Sequence, residues 1–143
     1  MAYDELLKKG LIKPFNAEPS QVLDRMTLAG RDIDAAKGLS NSDWAYSIAY
    51  NAMLQAARAL MFAEGYRPAS GEGQHRSVVR FAELALGQAF EEETRFFDKM
   101  RVKRNRAVYD TAGIISEEEA RQAIVFAGKF IRIVEDTLKK QFY

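Results

Sequence analysis

From Trp44 to Glu64 the chain runs without a proline or a glycine, and apolar residues occupy almost the whole circumference of the helix this stretch must form. Trp44, Ile48, Ala52 and Ala59 fall on one side, and Ala49, Met53, Leu60 and Met61 on another. A helix with so little polar surface has to be surrounded, so it is expected to be the central helix, with the rest of the chain supplying partners around it.

The chain breakers are placed to allow this. The only prolines, Pro14, Pro19 and Pro68, lie in stretches that read as connections, with Pro19 suited to a first helical turn. After a short turn over Asp4 to Lys9, Leu23, Met26, Ile33 and Ala36 recur at helical spacing between Pro19 and Lys37. Ser40 and Asp43 approximate a capping box ahead of the central helix, and Gly65 ends it. The segment Gly65 to Gly73 contains three glycines and a proline and reads as a loop. Val78, Phe81, Ala82 and Ala85 mark a shorter helix stopped near Gly87, and Phe90 to Val108 marks another. Ser116 and Glu119 form a better capping box, followed by a last helix with Ala120, Ala123, Ala127, Phe130, Val134 and Leu138 on one stripe. No strand-like alternation, internal repeat or domain boundary interrupts the pattern. The expected fold is all-α: one domain over residues 1–143, an up-and-down antiparallel bundle of four principal helices with short accessory helices.

Charge narrows the function classes. Lys and Arg total 21 against 20 Asp and Glu, so the net charge of +1 provides no global attraction to nucleic acid or anionic lipid, and any such surface must be local. The absence of cysteine removes disulfides, thiolate catalysis and Cys-containing zinc sites, fits a reducing compartment, and leads us to expect neither metal nor cofactor. Met1 to Leu11 mixes Asp4, Glu5, Lys8 and Lys9 into its apolar residues, unlike a secretory signal, and no segment suits a bilayer span. A cytoplasmic protein without membrane contact is expected.

One local feature stands out. Arg101, Lys103, Arg104 and Arg106 fall within six residues, together with Asn105 and followed by Tyr109 and Asp110. Because Glu91, Glu92 and Glu93 open the same helix, one reading is simple complementarity to the helix dipole on a solvated surface. Phase argues otherwise for one residue: Phe97, Met100 and Ala107 form a regular apolar stripe only if Arg104 occupies the intervening inward position. A guanidinium there needs a carboxylate, a phosphate or carbonyls to satisfy it. Arg101, Asn105 and Tyr109 are spaced by four and lie along one ridge beside it. His75, the only imidazole, sits at the start of a helix after the glycine-rich loop, either as a cap or surface residue or as a group approaching the Arg104 cleft. Asn51, Gln55 and Arg58 make a narrow polar stripe on the central helix, either its solvent edge or a further wall of the cleft. Ser70, Ser77 and Asp110 occur without a nucleophile-elbow sequence, and Gly71-Glu72-Gly73 lacks the strand and the Gly-Lys-Ser or Gly-Lys-Thr of a phosphate loop.

The stretch Arg104-Asn105-Arg106-Ala107-Val108-Tyr109 resembles the R-N-x-x-x-H signature of the HEPN superfamily, with tyrosine in the histidine position. Ala45 to Leu54 with Ala57-Arg58-Ala59-Leu60 is similar to the alanine- and aromatic-rich central helix of these proteins, and His75 ahead of Val78-Val79-Arg80-Phe81 to the next family segment. The likeness runs from about Arg25 to Glu135. In nuclease members of the family two chains pair so that both motifs face one cleft, where RNA is cut without metal. The resemblance thus implies a homodimer with a site of Arg104, Asn105 and Tyr109, beside which the residue spacing offers Arg101, Arg106, Asp110, His75, Asn51 and Arg58 as candidate binding residues. A phenol with an ordinary pKa of about 10 is a poor base at neutral pH but a capable hydrogen-bond donor to phosphate. The expected function is therefore binding of RNA or a nucleotide with little or no cleavage. One alternative is a metal-independent endoribonuclease toxin, with Tyr109 and His75 filling the missing role, paired with a nucleotidyltransferase-like antitoxin. Another is a protein-interaction module in which Arg104 is a structural ion-pair residue.

Overall fold

The computed structural model describes residues 2–71 and 73–142; Met1, Glu72 and Tyr143 lie outside them. Helix α1 (Asp4–Lys8) precedes α2 (Pro19–Lys37), α3 (Ser42–Glu64), α4 (Gln74–Leu86), α5 (Glu91–Asn105) and α6 (Glu117–Phe142). The architecture is an all-α bundle built around α3, which packs against α2, α4, α5 and α6. Its residues Ala49, Ala52, Met53, Leu60 and Met61 are fully buried. Small side chains on α3, with Ala29 and Ala36 on α2 equally buried, let the two helices approach closely. Trp44 departs from the expected pattern: it lies in the first turn of α3, beyond the reach of its neighbours, and is 61% exposed.

The polar stripe of α3 faces α2. Asn51 Nδ2 donates to Asp32 Oδ2 at 2.9 Å, and Arg25 Nη1 donates to Gln55 Oε1 at 3.0 Å. The guanidinium of Arg25 also lies 5.5 Å from the centre of the Phe62 ring. Residues late in α2 thus meet residues early in α3, so these helices run antiparallel. Helices α5 and α6 do the same, joined by Phe96–Phe126, Phe97–Phe130 and the Lys103–Glu119 ion pair.

Caps explain the helix ends. Asn41 rather than Ser40 caps α3, its Oδ1 accepting from the Trp44 amide at 3.0 Å, while Asp43 Oδ2 accepts from the Gly113 amide at 2.7 Å and ties the turn before α6 to the start of α3. Gly65 closes α3 at φ 95°, a left-handed conformation costly for any side chain. Before α6 the Ser116 amide donates to Glu119 Oε1 at 3.1 Å and the Glu119 amide to Ser116 Oγ at 3.0 Å, the reciprocal pair the sequence predicts. Ser116→Ala is expected to cost about 1 kcal/mol, which thermal denaturation followed by circular dichroism would register as a melting temperature about 3 °C lower.

A feature absent from the sequence reading is a two-stranded antiparallel ribbon, β1 (Ile12–Pro14) and β2 (Tyr66–Pro68), with Lys13 opposite Arg67. Bonds from the Phe15 amide to the Gly65 carbonyl, 2.9 Å, and from the Ala69 amide to the Leu11 carbonyl, 3.0 Å, extend it. Part of the expected loop between α3 and α4 is therefore strand. Three-residue strands containing a proline each are too short to show alternation, which is why periodicity misses them. Among the described residues no helix is long and apolar enough to cross a membrane.

Candidate functional site

Helix α5 has the polarity its dipole favours, with Glu91, Glu92 and Glu93 in the first turn and Lys103 and Arg104 in the last. Arg95 pairs with Glu91 at 2.7 Å and Arg101 with Asp98 at 2.8 Å. Its apolar stripe is as expected: Phe97 and Met100 are fully buried and Ala107 nearly so, with Arg104 half-buried between them. The α-helix stops sooner than its pattern predicts. It ends at Asn105, and Arg106–Asp110 form a π turn in which the Thr111 amide donates to the Arg106 carbonyl at 2.7 Å. The wider turn re-aims the side chains that follow it, a distortion that recurs at functional sites.

That turn leaves Arg104 between two rings. Its guanidinium carbon lies 5.8 Å from the centre of the Tyr50 ring and 5.8 Å from that of Tyr109. Nη1 donates to Asn105 Oδ1 at 3.3 Å, while Nε is buried without an acceptor among the described residues. An unpaired buried donor costs about 1–3 kcal/mol. Tyr50, 1% exposed, likewise has a hydroxyl with no partner among the described residues. Burial raises the pKa of that phenol against the opposing pull of Arg101, Arg104 and Arg58, so it stays protonated.

Across from α5 stands the first turn of α4. His75, the second residue of that helix, is half-buried, with its ring 5.8 Å from that of Tyr50. Burial, reinforced by the charges of Arg58, Arg104 and Arg101, holds the imidazole below its usual value, so it is neutral at pH 7. His75, Arg101, Arg104, Asn105 and Tyr109 line one cleft of about 580 Å³, together with Arg76, Gln74 and the backbone at Gly71 and Gly73. Five of the nine residues singled out in the sequence therefore meet. The neighbouring hollow between α4 and α5 balances its charges, with Arg80 paired to Glu83 and Arg95 to Glu91 beside Leu84, Gln88 and Thr94, and offers no comparable donor surplus.

The other four stand elsewhere. Asn51 is committed to Asp32, on the α2 side of α3. Arg58 is half-buried behind His75, and burial together with the neighbouring Arg25 lowers its pKa. Arg106 and Asp110 are exposed on the π turn and do not line the cleft. Sequence reasoning missed Arg76 as part of the site, although it adjoins His75 at the same helix start. Tyr50 reads from the sequence as an aromatic able to stack a base but, at helical spacing, more readily as core or dimer contact; it is buried, with its ring beside Arg104 and His75.

The model of the HEPN domain family matches residues 22–137. The chain belongs to the HEPN family. The motif residues Arg104, Asn105 and Tyr109 and the facing His75 all fall within the matched span. Among solved structures, the crystal structure of TT1696 from Thermus thermophilus is similar in fold, with a TM-score of 0.62 and 23% identity over 82% of this chain and 98% of that one. A comparison with curated proteins returned no match.

Chemically, this HEPN cleft is rich in donors and poor in acceptors. Its lining contributes the guanidiniums of Arg76, Arg101 and Arg104 and, among the described residues, no carboxylate, and the nearby Asp98 is engaged by Arg101. Such a surface suits an anion with several oxygens.

Proposed function

We propose that this HEPN protein is a homodimeric binder of RNA or nucleotides, held through phosphate at the Arg104, Asn105 and Tyr109 cleft with little or no cleavage. The observation that carries this reading is the guanidinium of Arg104, fixed between the Tyr50 and Tyr109 rings with a buried Nε that has no acceptor among the described residues. Exposed Tyr109, at 73%, can stack a base while Arg104 holds the adjoining phosphate. Exposed Val102, Val108 and Tyr109 on the same segment support a second copy of the chain seating beside the cleft.

Fluorescently labelled single-stranded RNA, titrated in chelator over a series of salt concentrations, is expected to bind with an affinity that falls as salt rises and to be recovered intact. Light scattering is expected to report twice the 16.2 kDa chain mass. RNA that does not bind at low salt, or a strictly monomeric protein, would remove this reading.

A second reading has one specific observation in its favour. A neutral imidazole, His75, lies in the same cleft as Arg104, so a base for the RNA 2′-hydroxyl is present although the motif histidine is not. Metal-independent cutting of RNA, lost in His75→Gln, would move the assignment to an endoribonuclease and bring a toxin role, with a nucleotidyltransferase-like antitoxin, into consideration.

A further inference from the structure

Towards the other end of α3 a second set of cations lies against rings. The Arg25 guanidinium sits 5.5 Å from the centre of the Phe62 ring, the Phe62 and Phe15 ring centres are 4.9 Å apart, and the Arg67 guanidinium is 5.7 Å from the centre of Phe15. These side chains form one ladder, an arginine at each end and two half-buried rings between, that joins α2, α3 and the β1–β2 ribbon. Lys13 extends it. It pairs with Arg67 across the ribbon, so both side chains leave the same face, while Ile12 and Tyr66, of opposite phase, turn to the core.

Two like-charge contacts are built into this surface. Lys13 and Arg67 stand directly opposite on neighbouring strands, where equal charges repel. Arg58, one turn before Phe62 on α3, is half-buried, and burial and the charge of Arg25 lower its pKa. Among the described residues no carboxylate pairs with Lys13, Arg25, Arg58 or Arg67, whereas the exposed cations Lys9, Arg80, Arg95 and Lys129 each have one. Repulsion left unneutralised marks a surface whose counter-charge comes from outside the chain.

We infer that this ladder is a second contact for single-stranded RNA, so that one strand held by its phosphate at Arg104 continues round α3 to the ribbon. The inference rests on the RNA-binding reading above and adds to it the length of strand required. Guanidinium edges suit phosphate oxygens and the partly exposed rings suit bases, the alternation a nucleic-acid strand presents; an acidic protein segment would use the charges and leave the rings idle. The Arg104 guanidinium lies by Tyr50 and that of Arg25 by Phe62, twelve residues further along α3. That spacing sets the two contacts about 18 Å apart along the helix and about a third of a turn apart around it. Arg58 falls between them in both senses, its charge acting on His75 on one side and opposed by Arg25 on the other. A dinucleotide reaches one contact; a strand of about eight nucleotides reaches both.

Calorimetric titrations of the protein with a uridine dinucleotide and a uridine octanucleotide test this. Lys13→Gln and Arg67→Gln combined should weaken the octanucleotide about tenfold and lower its salt slope by about one to two, leaving the dinucleotide affinity where it was. Lys13→Gln alone keeps the Arg67–Phe15 contact and removes the repulsion, so its melting temperature should hold or rise while octanucleotide affinity still falls, which separates lost binding from lost structure. Phe15→Leu should weaken the octanucleotide with the salt slope unchanged, because stacking carries no charge. A double variant that binds the octanucleotide as the natural chain does would overturn the inference and leave this face to an acidic protein partner. Equal losses for both oligonucleotides would also overturn it. An Arg104→Ala chain that keeps octanucleotide binding while the double variant loses it would instead remove the Arg104 reading and leave the ladder as the RNA contact. Failure of both oligonucleotides at low salt would remove both.

Discussion

Arg104→Ala is expected to weaken binding of single-stranded RNA by about 100-fold or more at fixed salt, the loss that follows when two charge-assisted hydrogen bonds to phosphate disappear. Arg104 is the residue whose guanidinium is both oriented, by the Tyr50 and Tyr109 rings, and partly unsatisfied. Its removal deletes Nε, unsatisfied among the described residues, and a hydrogen bond from Nη1 to the neutral Asn105, so the fold should survive. Arg104→Lys separates charge from geometry. Lysine keeps the positive charge but lacks the planar fork that stacks between rings, and an intermediate loss of about tenfold is expected. Fluorescence anisotropy across a salt series checks both variants, and the alanine variant should also lower the salt slope by about one. Unchanged affinity in Arg104→Ala would show that the phosphate sits elsewhere.

The largest stability effect is expected at Phe97. Its side chain is fully buried, with ring centres 5.7 Å from Tyr50 and 4.9 Å from Phe130, so it joins α3, α5 and α6 at one point. Phe97→Ala removes a large side chain from a site where three helices meet and cannot readily collapse, at a cost of about 3–5 kcal/mol. For a chain of this size that corresponds to a melting temperature lower by about 10–15 °C. Calorimetry of the variant measures it. Because Phe97 braces the Tyr50 ring beneath the cleft, ligand affinity should fall as well; a stable variant with a loosened Tyr50 would show the packing to be less shared than the geometry says. Phe97→Leu, which refills part of the space, should recover much of the stability and so separate packing from any special role of the aromatic ring.

Helix positions were largely legible because α2, α3 and α6 carry long apolar stripes bounded by Pro19, Gly65 and the Ser116 cap, signals that act within a few residues of one another. The inward phase of Arg104 was legible for the same reason. What sequence periodicity does not carry is information held between distant segments. The pairing of Ile12–Pro14 with Tyr66–Pro68 depends on partners such as Lys13 and Arg67 that are far apart in the chain, and the meeting of His75 with Arg104 depends on how α4 crosses α5. The π turn at Arg106–Asp110 was invisible because its residues have no composition that separates them from an ordinary helix end. Asn51 shows the reverse error: its polar stripe admitted either solvent or the cleft, and α2 took it instead through Asp32.

The matched HEPN region begins at residue 22, yet β1 lies before it and holds β2, the strand that leads into α4. Tyr3 reinforces the arrangement by stacking on Phe81 of α4, ring centres 4.3 Å apart, and meeting Tyr66 at 5.3 Å. The leading segment therefore works as a buttress for one bank of the cleft. A protein trimmed to its family boundaries would retain the motif arginine and lose the strut that sets how far His75 stands from it.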